Sequence, residues 1–154
     1  LLLYQEFHRV SDALIILVNI PLAMIGGVLI LWIGGKEVNI PAIIGFISLL
    51  GIATRNGMLL ISHYRQLETD GIPLMDRIFI GSRDRLLPII MTAMSSALAL
   101  IPIVARGAEP GNEIQSPMAL VILGGLLSST LLNIFVVPIL YYVNNKKKTS
   151  SHQV

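Results

Sequence analysis

The sequence predicts an all-α membrane protein with four transmembrane helices and a short amphipathic helix on the cytoplasmic side. Of its 154 residues, 54% are hydrophobic and 13% are charged, whereas soluble domains carry about 25% charged residues. The mean hydropathy is +0.77. Four stretches reach the length of about 20 mostly apolar residues that a bilayer-spanning helix requires. The small net charge of +2, without a basic stripe, does not fit a nucleic-acid-binding protein.

The predicted spans cover residues 12–34, 41–64, 86–105 and 117–143. Prolines in and near them are tolerated when neighbouring groups satisfy the backbone atoms that a proline frees. Between the second and third spans, residues 72–85 contain a mixture of apolar and charged side chains. This mixture is typical of a short helix that lies along the membrane surface.

Small residues cluster inside the predicted spans. Because glycine lets two helix backbones approach closely, such clusters predict tight helix–helix packing, which a simple lipid anchor would not need. The glycines expected at these contacts are Gly26, Gly27, Gly45, Gly51, Gly124 and Gly125.

The basic residues predict the orientation of the chain. Lys and Arg are in excess in the short cytoplasmic loops of membrane proteins. Eight of them fall on one side of the predicted topology, and only Lys36 and Arg106 fall on the other. Both termini and the segment around 65–85 are therefore expected in the cytoplasm. The eight are Arg9, Arg65, Arg77, Arg83, Arg85 and Lys146 to Lys148.

Arg55 is the residue of the spans that most needs an explanation. It lies in GIATRNGMLLISHY, about ten residues from the end of its predicted span at Tyr64. An arginine at the centre of a membrane helix costs about 3 kcal/mol on insertion scales, and such residues usually mark ion pathways or pair with a counter-charge. Since arginine stays protonated at ordinary pH, it can act only as a fixed charge and not as the proton carrier.

No carboxylate is available in the spans to pair with Arg55. Asp12 lies at the edge of the first span, and Glu37, Glu109 and Glu113 lie in loops. We therefore expect the partner carboxylate to come from other polypeptide.

A polar stripe on the third span is a second candidate site. Thr92 lies seven residues, or two helical turns, after Arg85, and Ser95 and Ser96 continue the stripe. Two plainer interpretations stay open. Arg85 can extend its side chain to the lipid headgroups, and the hydroxyls can form ordinary hydrogen bonds between helices.

The sequence indicates neither an enzyme nor a metal centre. It contains no cysteine, and His8, His63 and His152 share no ligand spacing. The six methionines are interpreted as flexible packing residues rather than ligands for a soft metal. No nucleophile, base and orienting group fall into a recognisable constellation.

Three segments together resemble a known family. They resemble, in order and spacing, the last helices of resistance-nodulation-division (RND) efflux permeases, and most closely the heavy-metal efflux, CzcA-like branch. The resemblance covers essentially the whole chain. The segments are GIATRNGMLLISHY, GSRDRLLPIIMTAMSSALALIPIV and GNEIQSPMALVILGGLLSSTLLNIFVVPILYY.

The resemblance implies a proton-driven homotrimeric pump of the bacterial inner membrane, with twelve helices per protomer and the proton gradient in place of any cofactor. Residues 1–154 look like its C-terminal transmembrane segment, the final four helices. The implied partners are the remaining helices and periplasmic domains of the same permease, membrane-fusion and outer-membrane proteins, and membrane lipids.

The resemblance also implies roles for individual residues. Arg55 stands where many multidrug members have a lysine that faces acidic residues of the fourth helix. Thr92 and Arg85 match relay positions of the eleventh helix, and Asn56 is expected to join Thr92 in supplying hydrogen bonds to a proton relay. The family's acidic fourth helix and its substrate-handling periplasmic domains have no counterpart in the chain, so we expect no transport by the chain alone.

Several alternatives remain open at this point. The chain could be a remnant or accessory membrane module without a transport role, or part of an RND pump for organic compounds. A free-standing four-helix exporter would need a membrane carboxylate of its own. The first residues, LLLYQEFHRV, lack the features of a signal peptide and look like the tail of an earlier apolar segment. We therefore expect the chain to begin inside a larger fold.

Overall fold

The computed structural model describes residue 5, residues 10–107 and residues 109–151, with side chains up to residue 147. In this part of the chain there are four long α-helices and no strand: α1 (Val10–Ile33), α2 (Ile40–Thr69), α3 (Leu74–Ala105) and α4 (Gln115–Ser151). All four contain a segment long and apolar enough to cross a membrane. The all-helical membrane fold is thus confirmed. The expected apolar tail at the N-terminus, and Arg9 in the charge count, lie outside the described residues.

The helices extend beyond the apolar spans, most clearly at the start of α3. Residues 74–85 are helical as expected, but they form the first turns of α3 instead of a separate helix on the surface. The reason lies in packing, because Leu74 and Ile78 contact the buried core that α1, α2 and α4 form. This contact holds the segment against the bundle.

Local sequence signals set the helix ends. Gly35 and Gly71 have φ values of 60° and 77°, the left-handed conformation that glycine adopts after the last helical turn. The Ile72 amide then donates to the Leu67 carbonyl at 3.2 Å and closes the end of α2. At the start of α2, the side chain of Asn39 accepts a hydrogen bond from the Ala42 amide at 3.1 Å.

Helix α4 is the centre of the bundle, because it packs against each of the other three helices. Its most extensive partner is α1, which runs antiparallel to it. Near one end of the bundle, Ile16 and Ile61 pack with Val137 and Tyr141. Near the other end, Leu31 packs with Ala42 and Val121. Helix α3 is peripheral, and only its Gly81 and Ala93 are buried.

Candidate functional site

Three of the four predicted relay residues meet in a cleft between α2 and α3. Asn56 lines it from α2, and Arg85 and Thr92 line it from α3. The cleft has a volume of about 50 Å³, which exceeds the 10–15 Å³ or so that one water molecule requires. A small space with a mostly apolar wall and three polar side chains is therefore present between the two helices. Leu59, Leu60, Pro88 and Ile89 complete its wall.

The hydroxyl of Thr92 donates to the carbonyl of Pro88 in its own helix, at 2.9 Å. The hydroxyl proton is used in this hydrogen bond, and the hydroxyl oxygen can still accept a hydrogen bond from another donor. Thr92 is exposed in this chain, and Arg85 and Asn56 are half-buried. All three can thus be reached by water or by another side chain.

Arg55 lies outside this cleft. It sits at the middle of α2, exposed, on the side away from the buried residues Ala53, Gly57 and Leu60. Gly51, one helical turn earlier, shares this side, and nothing lies within 4 Å of the position that a Cβ would take there. The two residues define an open face of α2, called the Arg55 face below.

No described carboxylate forms an ion pair with Arg55. The ion pairs recorded between described residues join Asp12 to Arg65 and Glu68 to Arg77, and the Asp84 carboxylate lies 3.2 Å from the His63 ring nitrogen. These residues belong to the ends of the helices, whereas Arg55 is central in α2. That a carboxylate from other polypeptide pairs with Arg55 stays a prediction.

Five of the six predicted packing glycines lie at close helix contacts. A Cβ on Gly26 would meet the side chain of Ser128 and come within 2.8 Å of the Gly124 carbonyl. A Cβ on Gly45 would lie 3.0 Å from the Met118 carbonyl. Gly51 differs, since it faces open space. The same close approach applies to Gly27 against Phe46, Gly124 against Ile30 and Gly125 against Leu49.

The structure contains a polar cluster at one end of the bundle that the sequence did not predict. Its centre is Arg77 of α3, which donates to the Ile72 carbonyl at 3.1 Å and to the Tyr141 hydroxyl at 3.4 Å. The rings of Tyr141 and Tyr64 pack at a tilt of 37° with centroids 4.8 Å apart, and the Tyr64 hydroxyl shares a hydrogen bond with Ser82. This Arg77 cluster fastens the first turns of α3 to α2 and α4.

A buried pair of asparagines in the spans was also missed. The side-chain amide of Asn19 in α1 donates to the side-chain oxygen of Asn133 in α4 at 3.1 Å. Asn133 donates in turn to the Ser129 hydroxyl at 3.4 Å. All three side chains are at most 1% exposed. The available signal was one asparagine inside each of two apolar stretches, LVNIPL and LLNIF.

No set of three His, Asp or Glu side chains in the described part of the chain is arranged to hold a metal ion. The predicted site residues are two separate arginines, an asparagine and a threonine. Their side chains can orient or stabilise a charge. The arrangement fits the control of charged groups inside a membrane.

Comparison with known proteins identifies the family. The model of the AcrB/AcrD/AcrF family matches residues 1–145. The cobalt-zinc-cadmium resistance protein CzcA of Cupriavidus metallidurans is 40% identical over 146 residues, which are 95% of this chain and 14% of CzcA. The nickel and cobalt resistance protein CnrA of the same organism is 36% identical over 148 residues, 96% of this chain and 14% of CnrA.

A solved structure agrees with the sequence relatives. The crystal structure of a heavy-metal efflux pump superposes with a TM-score of 0.77 at 32% identity, and the match covers 88% of this chain and 13% of that one. The chain thus spans about one seventh of the length of the relatives that it matches. With four membrane-capable helices, and with a family model that covers most of its length, the chain belongs to the AcrB/AcrD/AcrF family of RND efflux permeases.

Proposed function

We propose that this chain forms the C-terminal transmembrane part of a proton-driven RND pump that exports heavy-metal cations across the bacterial inner membrane. The relatives named for cobalt, zinc, cadmium and nickel resistance support this substrate class. In the complete pump the chain would work with the remaining helices and periplasmic domains of a homotrimer. Membrane-fusion and outer-membrane proteins would be its further partners, and the proton gradient its energy source.

The observation that carries the proposal is the Arg55 face. A permanent positive charge lies at the middle of α2, with open space beside it at Gly51 and no described carboxylate paired with it. A charge at this depth is costly unless it meets a counter-charge or water. A pair of acidic residues on a helix outside this chain would occupy the space at Gly51 and neutralise the charge of Arg55.

In this mechanism Arg55 holds the acidic pair in its ionised form. An opposite charge within about 4–6 Å lowers the pKa of a carboxyl group by roughly one to three units. When a proton arrives, the carboxyl group becomes neutral and its attraction to Arg55 falls. The cleft between α2 and α3 lies on the adjacent side of α2, where Asn56 and Thr92 can exchange hydrogen bonds between the two states.

Substitution of Arg55 in the permease that carries this segment tests the proposal. Arg55→Ala should abolish proton-coupled cation efflux while membrane insertion and protein level stay normal, because the bilayer cost of the charge disappears. Arg55→Lys should keep part of the activity, since it keeps the charge but loses the planar fork that can bridge two carboxylates.

Arg83→Ala is the matched control, because Arg83 is an exposed arginine near the start of α3 and outside the cleft. It should leave efflux unchanged. Uptake of radioactive zinc or cobalt into inverted vesicles, driven by an imposed pH gradient with the acidic side inside, measures the rate. Arg55→Ala that pumps at the wild-type rate would contradict the proposal.

A further inference from the structure

A groove between α1 and α4 is not explained by the proposed function. It has a volume of about 290 Å³ and lies beside the end of the bundle that contains the Arg77 cluster. The α1 side of the groove consists of Ser11, Leu14, Ile15 and Val18, and the α4 side consists of Leu140, Val143, Asn144 and Lys147.

The lining changes from polar to apolar along the helix axes. Ser11 is in the first turn of described α1, and Lys147 lies close to the end of antiparallel α4, so both belong to the outer end of the groove. Towards the bundle centre the lining is apolar, with Leu14, Val18 and Val143 each about half exposed. A phospholipid has the same order, a polar headgroup followed by an acyl chain.

The polar end of the groove offers hydrogen-bond donors and a positive charge. The side-chain nitrogen of Asn144 is shielded from solvent and has no hydrogen-bond partner. Lys147 adds an exposed ammonium group, which carries donors only. None of the described residues that line the groove is acidic, and Asp12, next to Ser11, is buried in the ion pair with Arg65. A buried amide without a partner is unfavourable, so an acceptor is expected here.

We propose that this groove binds an anionic phospholipid. One acyl chain lies along Leu14, Val18 and Val143. The Lys147 ammonium donates to the phosphate oxygens, and the Asn144 amide turns out of its shielded position to donate to them as well. The negative charge of the headgroup complements the ammonium group of Lys147 at the rim, and membrane proteins commonly bind anionic lipids through basic pockets between helices. The site is independent of Arg55 and of proton coupling.

Native mass spectrometry of the purified permease tests the site. The protein would be titrated with phosphatidylglycerol and, separately, with the zwitterionic phosphatidylcholine. Lys147→Gln should weaken the first phosphatidylglycerol bound by about fivefold, the usual contribution of one basic residue near the headgroups. Asn144→Leu should have an effect of about the same size, because it removes the buried donor. Phosphatidylcholine binding should change little in both variants.

Lys146→Gln is the matched control. Lys146 is the neighbouring lysine, but its ammonium group lies 5.7 Å from the ring centroid of Tyr142 and does not line the groove. Equal losses of phosphatidylglycerol affinity in Lys146→Gln and Lys147→Gln would show that only unspecific surface charge attracts the lipid. This result would overturn the proposal. So would equal affinity of the wild-type protein for the two lipids.

A photo-crosslinker at Val18 distinguishes a lipid from a protein occupant. Val18→p-benzoylphenylalanine, irradiated in membranes, should give an adduct with the mass of a phospholipid. An adduct to another helix of the permease, or to a different protein, would show that polypeptide covers the groove and would overturn the proposal.

Discussion

At the residue scale, the asparagine pair shows how a polar contact can be placed inside an apolar interface. The Asn19 amide donates to the Asn133 side-chain oxygen across the contact between α1 and α4. In lipid, a side-chain amide that points away from the partner helix would lose its hydrogen bond, so the pair favours one rotation of α1 against α4. The sequence shows both asparagines, but it does not show that their helix faces meet.

Exchange of these asparagines for leucine should reveal their coupling. Asn19→Leu and Asn133→Leu should each lower the free energy of unfolding by about 1 kcal/mol, because the remaining amide loses its partner. The double variant should be no less stable than the worse single variant, since no unpaired amide remains. Unfolding in mixed detergent micelles measures the difference. Additive losses would argue against a coupled pair.

Arg55 was recognisable from the sequence for a different reason. The cost of a charge in a bilayer depends mainly on depth, and depth follows from position in the span. The direction in which the side chain points depends on which faces of α2 are packed. The structure was needed to show that Asn56 faces the cleft whereas Arg55 faces the adjacent, open side of α2.

At the element scale, the close contact between α1 and α4 depends on glycines, which have no side chain. Gly26 and Gly124 lie so close that a Cβ on Gly26 would come within 2.8 Å of the Gly124 carbonyl. A backbone atom cannot move away as the end of a flexible side chain can, so any added atom has to separate the helices.

Gly26→Ala should therefore destabilise the bundle by about 1–3 kcal/mol, the usual cost of overpacking. Gly51→Ala is the control within the same chain, because open space surrounds that position. It should be neutral or stabilising by up to about 1 kcal/mol, owing to the better helix propensity of alanine. Thermal unfolding of the detergent-solubilised chain measures both. If Gly26→Ala were as stable as the wild type, the close approach at Gly26 would be in error.

The number of membrane-capable helices followed from the sequence, but their lengths did not. Hydropathy detects the part of a helix that lies in hydrocarbon, and α2 and α4 continue past this part to Thr69 and Ser151. The start of α3 was misplaced for a related reason. Its amphipathic pattern does not show whether the apolar side contacts lipid or protein, and here it contacts protein.

At the scale of the whole molecule, four membrane-capable helices in sequence predict that both described ends lie on the same side of the membrane. The positions of the basic residues predict that this side is the cytoplasm. The loop between α2 and α3 would then be cytoplasmic and the loop between α3 and α4 periplasmic. The chain has no cysteine, so single cysteines can report on each loop.

Asp70→Cys and Glu109→Cys are suited to this test, because both positions are exposed and lie in these two loops. In intact cells an impermeant thiol reagent should label Glu109→Cys and should label Asp70→Cys only after the membrane is disrupted. Gly111 is less suitable, since its φ of 90° strains any other residue. The reverse labelling pattern would invert the topology.

The dominance of the contact between α1 and α4 has a consequence for biosynthesis. These are the first and last described helices, and about a hundred residues separate the two asparagines that join them. A ribosome adds roughly 5–20 residues per second, so α4 is synthesised several seconds after α1. During this interval Asn19 has no Asn133 to bind. We expect a nascent chain that ends before α4 to associate with insertion chaperones or to be degraded, and the bundle to assemble only after synthesis of α4 is complete.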